Sequence, residues 1–356
     1  MELLNKNSRI IPWTFDPQDT KAWEEERFRI LNSDGEIQRF GGSEISQVCG
    51  INNYSSAFHL FQIKLGRITP KKPNLLMING NVLESSIIDY IKSYDLNNPD
   101  EETTAENFLN KTFVREIDKA EFFILSDDYP YLSISLDGVL RKGQPSLHDP
   151  NLLMSFDTFC EVKNVTYSSY KSWGDKVIPD YYMAQVQAGM MVTGAPYCYF
   201  CVFLDNRELI INKIDADEAW FNLIEEASSE LSLRITKAKT IQNTLEIEND
   251  PSVREQLEQM LYDLEPNMDG LESTTDVIKD LYKGYDSETE LIGEEQEYAW
   301  ADRYLQVNDE LKELTTEKTF LKNSLLNFMK RSRKMTVLNI TVTYKNGRFS
   351  VKKNKQ

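Results

Sequence analysis

Apolar positions along this chain switch between two spacings, one that follows a helix face and one that alternates along a strand. Residues 17–31 set Trp23, Phe28, Ile30 and Leu31 among charges, which predicts a short amphipathic helix displaying Arg27 and Arg29. Phe40-Gly-Gly-Ser-Glu-Ile-Ser46 reads as a loop entering a helix, with Ser43 as its N-cap. Another short helix is predicted from Ser55 to about Leu65, and Thr69-Pro-Lys-Lys-Pro73 breaks the pattern. Helical spacing resumes over Gly80–Ile91, where Val82, Leu83, Ile87, Ile88 and Ile91 make one broad stripe. Glu84 lies beside that stripe and, taken alone, reads as a solvated helix glutamate.

Residues 92–111 are polar and read as loop. Strands are predicted over Phe113–Leu125, Tyr131–Leu140 and Cys160–Asn164, with 142–157 as a hairpin-like excursion. Residues 166–178 mix aromatic and basic side chains (Tyr167, Tyr170, Lys171, Trp173, Lys176). They suit either a nucleic-acid groove or a surface loop anchored by its aromatics. Pro179–Thr193 reads as a helix, with Gly194 just past its end. Tyr197–Leu204 and Glu208–Ile214 read as a hairpin around Asp205-Asn-Arg207. The order through 214 predicts a mixed α/β domain on a small central sheet.

The pattern changes from Asp215. A helix is predicted over 216–239, and acidic helices with loops over 245–292. Tyr304, Val307, Leu311, Leu314, Lys318, Leu321, Leu325 and Phe328 follow a three-four spacing, interrupted only by Lys318, that predicts a long amphipathic or coiled-coil helix. Met335–Tyr344 and Arg348–Val351 flank Lys345-Asn-Gly347 as a hairpin. Three segments follow: an α/β domain over 1–214, an acidic helical region over 215–330 and a basic β-hairpin tail over 331–356.

Charge sharpens that division. The chain carries a net charge of −17, but 215–330 holds 28 acidic and 11 basic residues, and 331–356 holds eight basic and no acidic ones. The acidic region is expected to face solvent or protein, and phosphate contacts to come from local patches before 215 or from the tail. No apolar run is long enough to span a bilayer, and the first residues lack the apolar segment of a secretory signal. Four cysteines are too few for a disulfide framework and fit a reducing cytosol. Cys198 and Cys201 stand on opposite faces of an alternating strand, which argues against an iron–sulfur cluster.

Candidate chemistry gathers in 131–163. Asp137 closes one predicted strand, and Glu161 and Lys163 sit on one face of the next, with Val162 turned the other way. If the strands pair, two carboxylates and an ammonium meet. That set suits a divalent ion, Mg2+ or Mn2+, and a water attacking a phosphodiester. Asp137 and Glu161 supply oxygen ligands, the Val162 carbonyl adds another, and Glu84 completes the site or holds a second ion. Lys163 orients or deprotonates the water, or steadies developing charge. Alone, Asp…Glu-x-Lys is a weak pattern.

Its neighbours make it specific. Trp23…Arg27, Ser43-Glu-Ile45, Gly80-x-x-x-Glu84, Ser135-x-Asp137-Gly138, Glu161-x-Lys163 and Tyr182-Met-Ala-Gln-Val-Gln187 occur in this order. Together they resemble the YqaJ-type viral recombinase family, whose members are lambda-exonuclease-like, over about residues 20–214. The resemblance implies a PD-(D/E)xK restriction-endonuclease-like core. It implies metal binding by Asp137 and Glu161 with help from Glu84, service to the water by Lys163, and a place in the site for Gln185. It also implies 5′-phosphate contacts from Arg27, Ser43 and Ser135. Leu136 stands where the family commonly has proline, and Gly189 where RecB-like nucleases have tyrosine.

The function implied is a Mg2+-dependent exonuclease of phage or prophage origin, acting in the cytoplasm of a bacterial host. It would resect double-stranded DNA ends from the 5′ side, beside a single-strand annealing protein, and relatives assemble as ring-shaped trimers. One rival is a structure- or site-specific endonuclease on the same core, which would cut closed circles. Another is a non-catalytic DNA-end-binding scaffold with the acidic region as docking arm; Asp137, Glu161 and Lys163 weigh against it.

Overall fold

In a computed structural model, which describes residues 7–14, 20–32, 37–70, 74–92, 117–140, 158–174, 176–284 and 292–354, the predicted strand over Tyr131–Leu140 is two strands in two sheets. The run begins with β1 (Ser8–Pro12), α1 (Thr20–Asn32) and β2 (Phe40–Gly41), then a 3-10 turn (Gly42–Glu44) and α2 (Ile45–Val48). Next come α3 (Ala57–Lys64), α4 (Leu75–Lys92), β3 (Ile117–Lys119), β4 (Phe122–Ser126), β5 (Leu132–Ser135) and β6 (Gly138–Leu140). They are followed by β7 (Thr158–Val165), α5 (Tyr167–Ser172), α6 (Asp180–Thr193), β8 (Tyr197–Leu204) and β9 (Glu208–Asp215).

One sheet has four strands in the order β1-β4-β5-β2, and the other has five in the order β3-β6-β7-β8-β9. The single small sheet expected from the sequence is therefore two. The chain changes sheets at Leu136-Asp137, and the Phe113–Leu125 run likewise splits into β3 and β4. Both breaks fall at poor β-formers, Asp137-Gly138 and Asp118-Lys119-Ala120-Glu121, which mark an interruption but not the sheet that the next strand joins.

The five-stranded sheet is mixed: β7 and β8 run parallel, joined through α5 and α6, and the other pairs are antiparallel. Strand alternation sorts the core. Phe159, Val165, Cys198 and Phe200 face the helix α6 with Ala184, Val186 and Met190. Cys160, Val162, Tyr199 and Cys201 face α4 with Ile87, Ile88 and Ile91. Cys198 and Cys201 thus lie in different cores, as their spacing requires. Val82, expected in the α4 stripe, is exposed instead. Gly189 of α6 is explained by packing: a Cβ there would come within 2.7 Å of the Phe159 ring. The 166–178 segment is not simply loop. Thr166 caps α5, and Trp173 is buried against Tyr170, Tyr182 and Phe200, which leaves Tyr167 as its exposed ring. The excursion over 142–157 and the loop over 93–111 lie outside the described residues.

Past Asp215 come α7 (Glu218–Ile247), α8 (Pro251–Asp263) and α9 (Glu272–Leu281). Helix α7 runs beyond the predicted end at 239 and buries Ile224, Leu231, Ile235 and Ala238 in the core shared with α6. The chain accordingly divides into two compact units at Gly284 and Tyr285, not at 214 and 215. The acidic residues of these helices sit on solvent faces while their apolar stripes dock, so composition alone placed the boundary too early.

The second unit holds α10 (Glu295–Met329), β10 (Lys334–Val337), β11 (Ile340–Lys345) and β12 (Arg348–Lys353). Its three antiparallel strands replace the predicted hairpin. Asn346-Gly347 makes the expected tight turn, both residues at positive φ. The extra turn comes at Leu338-Asn339, where Leu338 adopts a φ of 51°. Leucine at a positive φ carries no turn signal, and Asn339 alone marks the break.

Candidate active site

Asp137 stands at the point where the chain leaves β5 and enters β6. Pairing of Gly138 with Cys160 lays β6 on β7, and a Cβ at Gly138 would reach within 2.7 Å of the Cys160 sulfur. Glycine here lets the strands close, and Asp137 Oδ2 then accepts the backbone N–H of Val162 at 2.7 Å. Lys163 and Glu161 share the other face of β7. The Glu161 side chain is nearly fully buried, and its Oε1 accepts from both Lys163 Nζ and Gln185 Nε2 at 2.5 Å. Gln185 comes from α6, and the Lys163 ammonium also lies 5.4 Å from the Tyr182 ring centre. Four residues assigned to the site by resemblance, Asp137, Glu161, Lys163 and Gln185, therefore meet.

Glu84 approaches from α4, where Lys119 of β3 pairs with it at 3.3 Å. Lys119 is a site neighbour that sequence reasoning missed; its strand was hidden inside a longer predicted one.

Electrostatics tie these groups together. Burial and then the charge of Asp137 push the Glu161 carboxyl up to about 8, against the pull of Lys163. Burial and Asp137 push Glu84 up to about 7, against Lys119 and Lys163. Burial also raises Asp137, although Lys163, the Val162 N–H and Lys119 oppose it. Burial works to lower the Lys163 ammonium, but Glu161 and Asp137 outweigh it and hold the proton on. The cluster is thus short of positive charge: three carboxylates face two ammonium groups and favour protons.

Such oxygen donors fit a hard divalent cation, which would supply the missing charge. Among the described residues, no three His, Cys, Asp or Glu groups stand close enough to form a metal cage by themselves. Asp137 and Glu161 stand on neighbouring strands of this cluster, with Glu84 in its field.

A second cluster forms beside the 3-10 turn. Ser43 is not an N-cap. Gly41 holds the capping position, with its N–H donated to the Glu44 carboxylate at 2.9 Å. Ser43 Oγ instead accepts from Arg27 at 3.2 Å. Arg27 lies 5.3 Å from the Trp23 ring centre and 3.9 Å from Glu44, and a Cβ at Gly41 would strike its guanidinium at 2.7 Å. Arg29, by contrast, is tied to Glu26 on the exposed side of α1. Lys64 of α3 binds Glu44 at 2.9 Å. Lys64 was not anticipated, because nothing in the sequence links it to residue 44.

The clusters touch through glycine. A Cβ at Gly42 would contact Gln185 Cγ at 3.5 Å and Ile134 Cδ1 at 3.6 Å. Ser135 stands half-buried at the end of β5, the strand that pairs with β2 in parallel register.

The mixed sheet thus presents Asp137, Glu161 and Lys163, with Gln185 of α6, beside the Arg27–Ser43 guanidinium–hydroxyl pair. Residues 34–196 match the model of the YqaJ-like viral recombinase domain. The matched span contains every assigned site residue except Arg27. The chain is 19% identical over 293 residues to "Uncharacterized protein YqaJ" of Bacillus subtilis (strain 168), covering 82% of this chain and 75% of that one.

Among solved structures, the alkaline exonuclease LHK-Exo of Laribacter hongkongensis aligns over 62% of this chain and 96% of its own, at 16% identity and a TM-score of 0.42. A phage related exonuclease from Haemophilus somnus 129PT aligns over 56% and 95%, at 10% identity and a TM-score of 0.36.

Proposed function

We propose that this chain is a Mg2+-dependent deoxyribonuclease, with Mn2+ able to substitute, that removes nucleotides from the 5′ strand of double-stranded DNA ends. The observation that carries the reading is the Glu161 carboxylate, buried beside Asp137 and gripped at one oxygen by Lys163 and Gln185. The match of residues 34–196 to the YqaJ-like domain model supports it. Asp137 and Glu161 would hold the ion, with the Val162 carbonyl and Glu84 as further oxygen donors. When bound, the ion neutralises phosphate charge and makes a water more acidic.

The rest of the work falls to this chain's own side chains. Lys163 would orient the water, take its proton or steady charge on the phosphate. Gln185 holds Glu161 in place through its amide. Arg27, Ser43 and Ser135 receive the terminal 5′-phosphate, where a guanidinium and hydroxyls match phosphate oxygens. Arg27 is pre-oriented for this by Trp23 and Glu44.

In this reading the chain is of phage or prophage origin, works in the cytoplasm of a bacterial host and hands its 3′ overhang to a single-strand annealing protein. The test is to incubate linear duplex, with and without 5′-phosphate, and closed circular DNA with Mg2+ and with a chelator. Linear duplex should be consumed only with the metal, faster when 5′-phosphorylated, and circles should survive. Cut circles would move the assignment to an endonuclease; intact linear DNA under all conditions would end it.

A further inference from the structure

Helix α10 has 35 residues, a rod of about 52 Å at 1.5 Å per residue. Trp300, Tyr304, Leu311, Leu314, Leu321 and Phe328 lie along it at three-four spacing, and each is more than half exposed. Only the end of the helix leans on the tail strands: Met329 is buried and Lys322 lies 5.9 Å from the Phe349 ring centre. Within its own unit this seam is uncovered, which is the form that one half of a coiled coil presents.

We propose that α10 pairs with α10 of a second copy of this chain, as an antiparallel two-stranded coiled coil. Charge selects both the occupant and the direction. Two charged residues interrupt the seam, Glu297 near its start and Lys318 further along. A parallel pair would set Lys318 against Lys318 and Glu297 against Glu297. An antiparallel pair can set Lys318 of each copy opposite Trp300 of the other, ammonium against indole. In that register Glu295 and Glu297, in the first turn, lie beside Lys322 of the second copy. The two-fold axis falls beside Glu310, whose carboxylate is already held by Arg303 of its own helix at 2.8 Å. The charges at the ends of the seam are thus complementary in the antiparallel direction, and the two Glu310 carboxylates that meet at the axis are each held by Arg303 of their own helix.

The experiment is sedimentation of the full chain with Leu311→Asp/Leu314→Asp, joined to cysteine crosslinking at Glu310→Cys and Arg303→Cys. The double substitution should halve the mass of the assembly and weaken pairing by about 100-fold or more. Glu310→Cys, at the axis, should form an intermolecular disulfide readily, and Arg303→Cys should not; the unsubstituted chain controls for Cys49. These point substitutions test pairing without depending on nuclease activity, and far-UV circular dichroism checks that the helix survives. A chain that is monomeric throughout overturns the proposal, whether the seam is covered by its own first unit or by nothing. So does an assembly mass unchanged by the double substitution, or crosslinking at Arg303→Cys equal to that at Glu310→Cys.

Discussion

Two glutamates withdrawn from solvent, Glu44 and Glu161, stand in contrasting surroundings. Burial pushes both carboxyls up, yet Glu44 ends below its ordinary value and Glu161 far above it. Around Glu44, Lys64, Arg27 and the Gly41 N–H outweigh burial. Around Glu161 there is one lysine, and Asp137 and Glu84 add like charge. The first site is electrically complete and serves to hold its cations in place. The second is incomplete and ready to take a cation. The same group, a buried glutamate, is thus surrounded once by enough positive charge and once by too little, and the difference lies in the count of neighbouring charges.

The strongest way to break this contrast is to remove the reactive side. Glu161→Ala and Lys163→Ala should each lower cleavage of linear duplex by about 1,000-fold or more, while duplex binding measured with Ca2+ changes only a few-fold. Full activity in either variant would reject the assignment. Removing the scaffold side should instead cost the fold. Glu44→Gln leaves Lys64, whose side chain is only 8% exposed, without its counter-charge. Denaturant unfolding should show a loss of about 3 kcal/mol, the scale for breaking a buried pair. The surviving folded protein should keep its turnover on saturating DNA.

What could be read in advance follows the same division. Glu161 and Lys163 were legible because period two puts them on one face whatever the strand pairs with. Asp137 was legible as their partner, and the helix carrying Gln185 through its Pro179 and Gly194 boundaries. The Glu44–Lys64 pair was not, since it depends on how α3 packs against the 3-10 turn, a tertiary fact without a local signal. Ser43 was misplaced as a cap for a related reason: Glu44, three residues past Gly41, takes the backbone N–H that a serine cap would leave open. The Asp137-Gly138 dipeptide marks an interruption at the Leu136-Asp137 sheet change but not the sheet that follows, and the docking of 218–281 was hidden by acidic residues on its outer faces.

A finer probe sits between the two sites. Arg27 donates to Ser43 and leans on Trp23, with Glu44 behind it. Arg27→Ala should reduce the preference for 5′-phosphorylated over hydroxyl ends by about 10- to 100-fold, the worth of one or two charge-assisted hydrogen bonds. Arg29→Ala, which removes only a surface pair with Glu26, should leave the preference unchanged. The reverse result would move the phosphate site to the other face of α1.

The smallest effect tests the sign of the contrast. The Glu161 carboxyl rises from 4.5 unfolded to about 8 folded, and Glu84 to about 7, so the folded state holds protons that the unfolded state releases. Their stabilising contribution is whole below 4.5 and is lost as pH climbs through those folded values. Glu44 runs the other way: its contribution is whole above 4.5 and is lost as pH falls through its lowered value. Without divalent metal, the Tm of the full chain should therefore drop by a few degrees between about pH 5 and pH 9, and Glu161→Gln should flatten that drop. Mg2+ should raise Tm more at the alkaline end, where the carboxylates are free of protons to bind it. Glu44→Gln should leave the alkaline slope in place and soften only the acid one. If Glu161→Gln and Glu44→Gln altered the same limb, the two glutamates would not be opposites, and the carboxylate cluster would be one more satisfied ion-pair network.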